Sequence, residues 1–301
     1  MTDTTSLPLR HFLLALAVVA IWGSNFVVIK IALHTLPPMT LAALRFAIAF
    51  APACFFLRRP AVAWGNLVSY GLFIGVGQFG LLFLAMQSQI SPGLASLVIQ
   101  TQVFFTLLLA VRLRKERVLG TQWLGLALAV GGIAVIVGHT DGTTTPLGLA
   151  MILAAAFNWA CANLLTQRAG RIDMLAYVVW SSAFAVPPLL LLALLVDGPA
   201  AAARGLAAAD ALTWTAVLWQ SVANTLFGYG VWSWLLARHP AGSIVPMALL
   251  VPVFGMGSAA LLLGEPLPGW KLAAAALVMA GLAINLLGPR LLLRRSRAAA
   301  E

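Results

Sequence analysis

Hydrophobic residues run along this chain in blocks of about twenty, the length a helix needs to cross about 30 Å of hydrocarbon. The blocks are separated by short clusters of charge, proline and glycine. They predict ten helical spans, near 11–34, 39–57, 66–88, 93–111, 121–138, 147–167, 174–196, 213–237, 243–263 and 270–289. The third and eighth spans are the least uniform, because they hold Gln78, Gln220 and Asn224.

The two halves echo each other. Residues 93–134 recur without gaps 149 residues later: Gly93 matches Gly242, Phe105 Phe254, Ala110 Ala259, Glu116 Glu265, Gly120 Gly269, Gly132 Gly281 and Ala134 Ala283. The chain therefore reads as a duplicated unit of five spans per half. Because five is odd, the second copy must enter the membrane upside down, and inverted repeats around a midplane site are a common architecture of secondary transporters. The expected organisation is an all-α polytopic membrane protein. Its first five-helix repeat covers 11–138, an inverted one 147–289 and a basic tail 290–301.

Composition agrees. With 62% hydrophobic residues, 9% charged residues and a mean hydropathy of +0.99, a soluble domain of 301 residues is excluded. The charge supplies orientation. If the N-terminus lies inside, fourteen cations fall on cytoplasmic segments: Arg10, Arg58, Arg59, Arg112, Arg114, Lys115, Arg117, Arg168, Arg171, Arg238, Arg290, Arg294, Arg295 and Arg297. Only Arg204 and Lys271 fall outside, so both termini are expected in the cytoplasm. The net charge of +10 then belongs to membrane-facing loops beside lipid and calls for no nucleic acid.

Several functional classes drop out. The first hydrophobic block is longer than a signal-peptide core and holds Trp22, Asn25 and Lys30, so it reads as a retained helix. Cys54 and Cys161 fall inside spans and offer neither a disulfide framework nor a metal spacing. There is no phosphate-binding loop of the G-x-x-x-x-G-K-[ST] kind. All eight acidic residues and the four histidines (His11, His34, His139, His239) lie in tails, loops or at span ends, with no plausible metal site among them. An enzyme is not expected, nor is any cofactor.

The spans do carry uncharged polar and aromatic side chains. The first holds Trp22, Asn25 and Lys30, and the sixth, its counterpart, Trp159 and Asn163. Helical spacing aligns Gly71, Gly75 and Gln78 on the third span, Gly93, Ser96 and Gln100 on the fourth, and Gln220, Asn224 and Gly228 on the eighth. Such stripes would line a common cavity. Each residue also has the plainer role of bonding a neighbouring helix, but Asn25 with Asn163, and Gln78 with Asn224, occupy related positions in the two halves.

Lys30 and Arg45 flank the Pro37–Pro38 turn and lie about 10 Å inside its end of the bundle. For Arg45 a structural role is expected. For Lys30, attraction of a substrate carboxylate and snorkelling to the interface stand level. Glu116 and Glu265 each precede the last span of a half, where a carboxylate can cap a helix or pair with Arg117 or Lys271. Pro246 and Pro252 remove backbone hydrogen bonds from the ninth span and make it a candidate gate.

The run Trp22–Lys30, the Pro37–Pro38 turn, Leu44-Arg45-Phe46, Gly93–Ser96, and Pro252-Val253-Phe254 leading to Gly264-Glu265 and Gly281 resemble the EamA family of the drug/metabolite transporter superfamily over about residues 11–290. Within that family the first-span run and Gly93–Ser96 are most similar to the bacterial cysteine and O-acetylserine exporters, with aromatic amino-acid exporters next. The resemblance implies a 5+5 inverted repeat around a central cavity built from spans 1, 3, 4, 6, 8 and 9, and export of amino acids and related metabolites across a bacterial inner membrane.

Val103 and Lys115 stand where the second half has Pro252 and Gly264, so the two gates are expected to differ. The expected substrate contacts are Trp22, Asn25, Lys30, Gln78, Ser96, Gln100, Trp159, Asn163 and Asn224, with Arg45, Glu116, Pro246, Pro252 and Glu265 in gating or structural roles. The partners are small-molecule substrate and lipid, and a monomer is compatible with the chain. Alternatives are a transporter of phosphorylated metabolites or toxic cations and, further off, a membrane scaffold.

Overall fold

The computed structural model describes residues 7–115, 118–140 and 143–298, so Glu116 lies outside the described residues. Seven helical segments follow one another: α1 (Leu9–Ala32), α2 (Pro38–Phe55), α3 (Trp64–Ser88), α4 (Pro92–Leu113), α5 (Gly120–Val137), α6 (Pro146–Ala169) and α7 (Met174–Asp197). A short helix α8 (Pro199–Ala208) and a helical run α9 (211–238) come next. The chain closes with α10 (Ala241–Leu263) and α11, whose apolar part is Gly269–Gly288.

All but α8 and α9 are long and apolar enough to cross a membrane, nine segments among the described residues. The eighth expected span lies within α9, which is helical throughout but too polar to meet that measure. Gln220, Ser221, Asn224 and Thr225 are buried inside the bundle, so its polarity faces protein and not lipid. Leucines such as Leu261, Leu195, Leu262 and Leu191 point outward instead, as a lipid-facing surface requires.

The connections gather at two ends. At the end bearing the N-terminus, the His11 and His239 rings are hydrogen-bonded at 2.7 Å, and Asn66 donates to Leu165 O (3.2 Å) while accepting from the Tyr177 hydroxyl. At the opposite end the Thr35 and Thr213 hydroxyls are hydrogen-bonded (3.2 Å), Thr145 donates to the Gln89 side chain (2.8 Å), and His139 stacks on Trp270. Asp197 accepts from the Thr40 backbone and hydroxyl, each at 2.8 Å, and so caps the start of α2. Asp210 caps α9; the Thr213 backbone N–H and hydroxyl hold its carboxyl below the usual range.

Small residues let helices approach. α5 crosses α11 through Gly125 against the Gly281 carbonyl and Gly132 against Ala274 and Val278. A Cβ on Gly125 would stand 2.6 Å from that carbonyl, so the crossing needs glycine. These two contacts exchange when residue numbers are shifted by the 149-residue offset of the repeat. α1 fits between α9 and α10 for the same reason. A Cβ on Gly23 would stand 2.5 Å from Phe254 Cβ, and one on Gly228 2.5 Å from the Trp22 indole nitrogen.

Lys115 closes α4 with a left-handed backbone (φ 57°), and Gly264 closes α10 the same way (φ 66°). The substitution of lysine for glycine therefore does not change the backbone at this turn. It carries a conformational cost, because a Cβ disfavours that region. Lys115→Gly should stabilise the protein by about 1 kcal/mol, read as a higher melting temperature in detergent, with no change in transport.

Candidate functional site

A cavity of about 540 Å³ lies in the middle of the bundle and extends toward the end that bears the termini, where Thr166, Ser233, Leu236 and Leu286 line it. That volume is in the range of small-molecule sites. Trp22, Asn25, Gln78, Gln100, Trp159, Asn163 and Asn224 line it, contributed by α1, α3, α4, α6 and α9, and none of its described lining residues carries a formal charge.

Helix irregularities bring these residues together. α3 winds as a π-helix over Leu72–Gly80 and α9 does so over Trp219–Phe227, two nine-residue stretches 147 residues apart. α4 tightens to a 3₁₀ turn at Ile99–Thr101, and α10 does so at Val245–Leu250. Pro246 lies in the latter stretch and Pro252 in the first turn of the α-helix that follows. π-turns concentrate at functional sites because they rotate side chains out of the ordinary helical register.

That rotation divides each stripe expected from regular spacing. On α3, Gly71 and Gly75 pack against Ser181 and Ala185 of α7, while Gln78 turns to the cavity. On α4, Gly93 lies against the Glu265 carboxylate, Ser96 donates to Gly93 O (2.7 Å) beside Gly255, and Gln100 reaches the cavity. On α9, Gln220 is buried away from the cavity, Asn224 lines it and Gly228 seats Trp22.

Two expected contacts are therefore absent from the cavity wall. Ser96 is used in packing. Lys30 donates from Nζ to the carbonyls of Met86 (3.0 Å) and Gln87 (2.9 Å), so its charge seals the C-terminal end of α3 and does not face the cavity.

Within the cavity the Trp22 indole donates to Asn224 O (3.1 Å), and its ring lies among Tyr229 and Trp232. Asn163 donates to Gln102 Oε1 at 2.7 Å. Asn25 Oδ1 is buried without a hydrogen-bond partner. Periodicity did not point to Tyr70, Phe79, Gln102, Tyr229 or Trp232, all of which line the site. Gln102 falls off the Gly93–Ser96–Gln100 face, and the 3₁₀ turn interrupting α4 leaves no signal in polarity.

A buried ion pair lies at the opposite end. The Glu265 carboxylate accepts from the Ser91 hydroxyl (2.5 Å), the Gly93 backbone N–H (2.9 Å) and Lys271 Nζ (3.0 Å). It thereby ties the segment between α10 and α11 to the start of α4, with both charged side chains less than a tenth exposed.

A bundle of apolar helices around a central cavity with an uncharged lining is the form of a membrane transporter. The chain belongs to the EamA-like transporter family, whose profile matches residues 9–138 and again 146–287. It is 44% identical over 283 residues to a "Probable amino-acid metabolite efflux pump" of Salmonella typhimurium, covering 92% of this chain and 95% of that protein. An Escherichia coli protein of the same description is 42% identical over the same coverage. A "Probable terminal-alkyne amino-acid exporter" of Streptantibioticus cattleyicolor is 28% identical, covering 93% of this chain and 94% of the relative. A solved crystal structure shares the fold with a TM-score of 0.61 at 20% identity, over 94% of this chain and 98% of that one.

Glu265→Ala would leave Lys271 buried without its partner. Stability should fall by about 3 kcal/mol, measured by thermal melting in detergent, and a Glu265→Gln, Lys271→Met double variant should recover part of it.

Proposed function

We infer that this chain is a secondary transporter that exports amino acids and related small metabolites across the bacterial inner membrane by alternating access. The observation that carries this reading is the uncharged cavity walled by Trp22, Asn25, Gln78, Gln100, Trp159, Asn163 and Asn224, in a chain 44% identical to a relative described as an amino-acid metabolite efflux pump. Direction of transport follows the description of that relative, and the inner-membrane location that of an Escherichia coli protein described as an "Uncharacterized inner membrane transporter", 30% identical over 56% of this chain.

The chain crosses the membrane ten times, α9 included, as a 5+5 inverted repeat with both termini in the cytoplasm. The exchange of the Gly125–Gly281 and Gly132–Ala274 contacts under the repeat offset supports this, as do the matched π and 3₁₀ stretches. In that orientation the cavity faces the cytoplasm. Lys30, Asp197 and the Glu265 cluster close the outer end, and export proceeds when those contacts open.

Amide and hydroxyl groups suit a zwitterion, since they can donate to a carboxylate and accept from an ammonium. Trp22 and Trp159 offer ring faces to the ammonium. A phosphorylated metabolite would need cations in the wall, and a cationic drug would need carboxylates; the described lining has neither.

Purified protein in liposomes should take up labelled cysteine, threonine, methionine and tryptophan without requiring a pH gradient. Uptake of none of these would overturn the amino-acid reading. Trp159→Ala should slow that uptake by roughly three- to thirtyfold while leaving the melting temperature near wild type.

A further inference from the structure

Arg45 is the largest buried polar side chain among the described residues, 2% exposed, in the middle of α2. Its Nη2 donates to the Thr225 hydroxyl at 3.0 Å, and its Nε and Nη1 are buried with no acceptor. Among the described residues no carboxylate pairs with it; Asp197 and Asp210 cap helices, Asp173 caps α7, and Glu265 holds Lys271. A guanidinium does not shed its proton in proteins, so burial cannot neutralise this group. A charge held in a bilayer-spanning bundle with unfilled donors marks a functional site, and the group that completes it is an anion.

The surroundings indicate which anion reaches it. The guanidinium lies over the Phe79 ring, 3.7 Å from Cζ to the ring centroid, and Phe79 also lines the cavity. Phe79 belongs to the π stretch of α3, and Thr225 to the π stretch of α9. The cation is therefore one aromatic ring away from the cavity, held between the irregular segments of the two halves. Lys30 does not compete for this role, because its ammonium is engaged by two carbonyls.

We propose that Arg45 is the substrate-carboxylate group of the transport cycle, covered by Phe79 in this state and uncovered to the cavity when that ring rotates. This deepens the amino-acid reading above by assigning its carboxylate. Nε and Nη1 supply charge-assisted hydrogen bonds to the carboxylate, while the cavity amides and indoles hold the rest of the molecule.

The test compares carboxylates with a carboxamide. Wild-type protein in detergent is melted against L-methionine, L-methioninamide and 3-phenylpropionate, and the same is done with Arg45→Gln and Arg45→Lys. Methionine and 3-phenylpropionate should raise the melting temperature of wild type, and the carboxamide should not. Arg45→Gln should bind methionine roughly ten- to a hundredfold more weakly, the scale of lost hydrogen bonds to a charged group. Arg45→Lys, which keeps the charge and loses the planar fork, should fall between them.

Equal stabilisation of wild type by methionine and its carboxamide, or unchanged methionine affinity in Arg45→Gln, overturns the proposal. If Arg45→Gln does not fold, Arg45→Lys and the acid-against-amide comparison decide. If wild type neither binds nor carries any amino acid, the amino-acid reading fails by itself. The Arg45 assignment is then judged on 3-phenylpropionate: a shift lost in the Arg45 variants sustains it, and no shift, or one the variants retain, ends it.

Discussion

Inside lipid, every backbone N–H and C=O must find its partner within the protein, and this constraint shapes the whole bundle. It forces helices throughout and makes helix ends the weak points. At the end away from the termini those points are closed by charge: Lys30 on the last carbonyls of α3, Asp197 on the first N–H groups of α2, and Glu265 on the start of α4. Each charge has the sign that its helix end attracts. These contacts join segments distant in sequence, so capping the helix ends also ties that end of the bundle together.

Regular winding is relaxed at matched places in the two halves. The π stretches of α3 and α9 and the 3₁₀ turns of α4 and α10 contribute residues to the cavity wall, Gln78, Asn224, Gln100 and Ala248 among them. Outside those stretches, glycines bring α5 onto α11 and α1 between α9 and α10. Rigid, closely packed helices thus frame a centre whose backbone geometry departs from the α-helix at matched places in both halves. Arg45 sits where two of those places meet, bonded to Thr225 and stacked on Phe79.

Differences between the halves matter less to the backbone than to the side chains. Lys115 and Gly264 adopt the same left-handed turn, so a lysine there changes cost and charge but not shape. Beyond that turn in the second half, Glu265 bonds Ser91, Gly93 and Lys271 in one cluster.

Sequence by itself determined what depends on composition and spacing along one helix. Hydropathy pointed to nine of the spans that the described residues show; the repeat pointed to two related halves; and residue type picked out Trp22, Asn25, Gln78, Gln100, Trp159, Asn163 and Asn224, all of which reach the cavity. What only tertiary structure decided is which way a polar side chain turns and what it meets. Periodicity assumes about 100° per residue, and the π and 3₁₀ stretches break that assumption, so Gly71 and Gly75 part from Gln78, and Gln102 joins the wall. Lys30 and Arg45 lie at similar depth in the sequence. The carbonyls of α3 happen to lie within reach of one ammonium, while the guanidinium is enclosed behind Phe79 with donors to spare. That distinction rests on contacts between helices far apart in the chain, which no local pattern encodes.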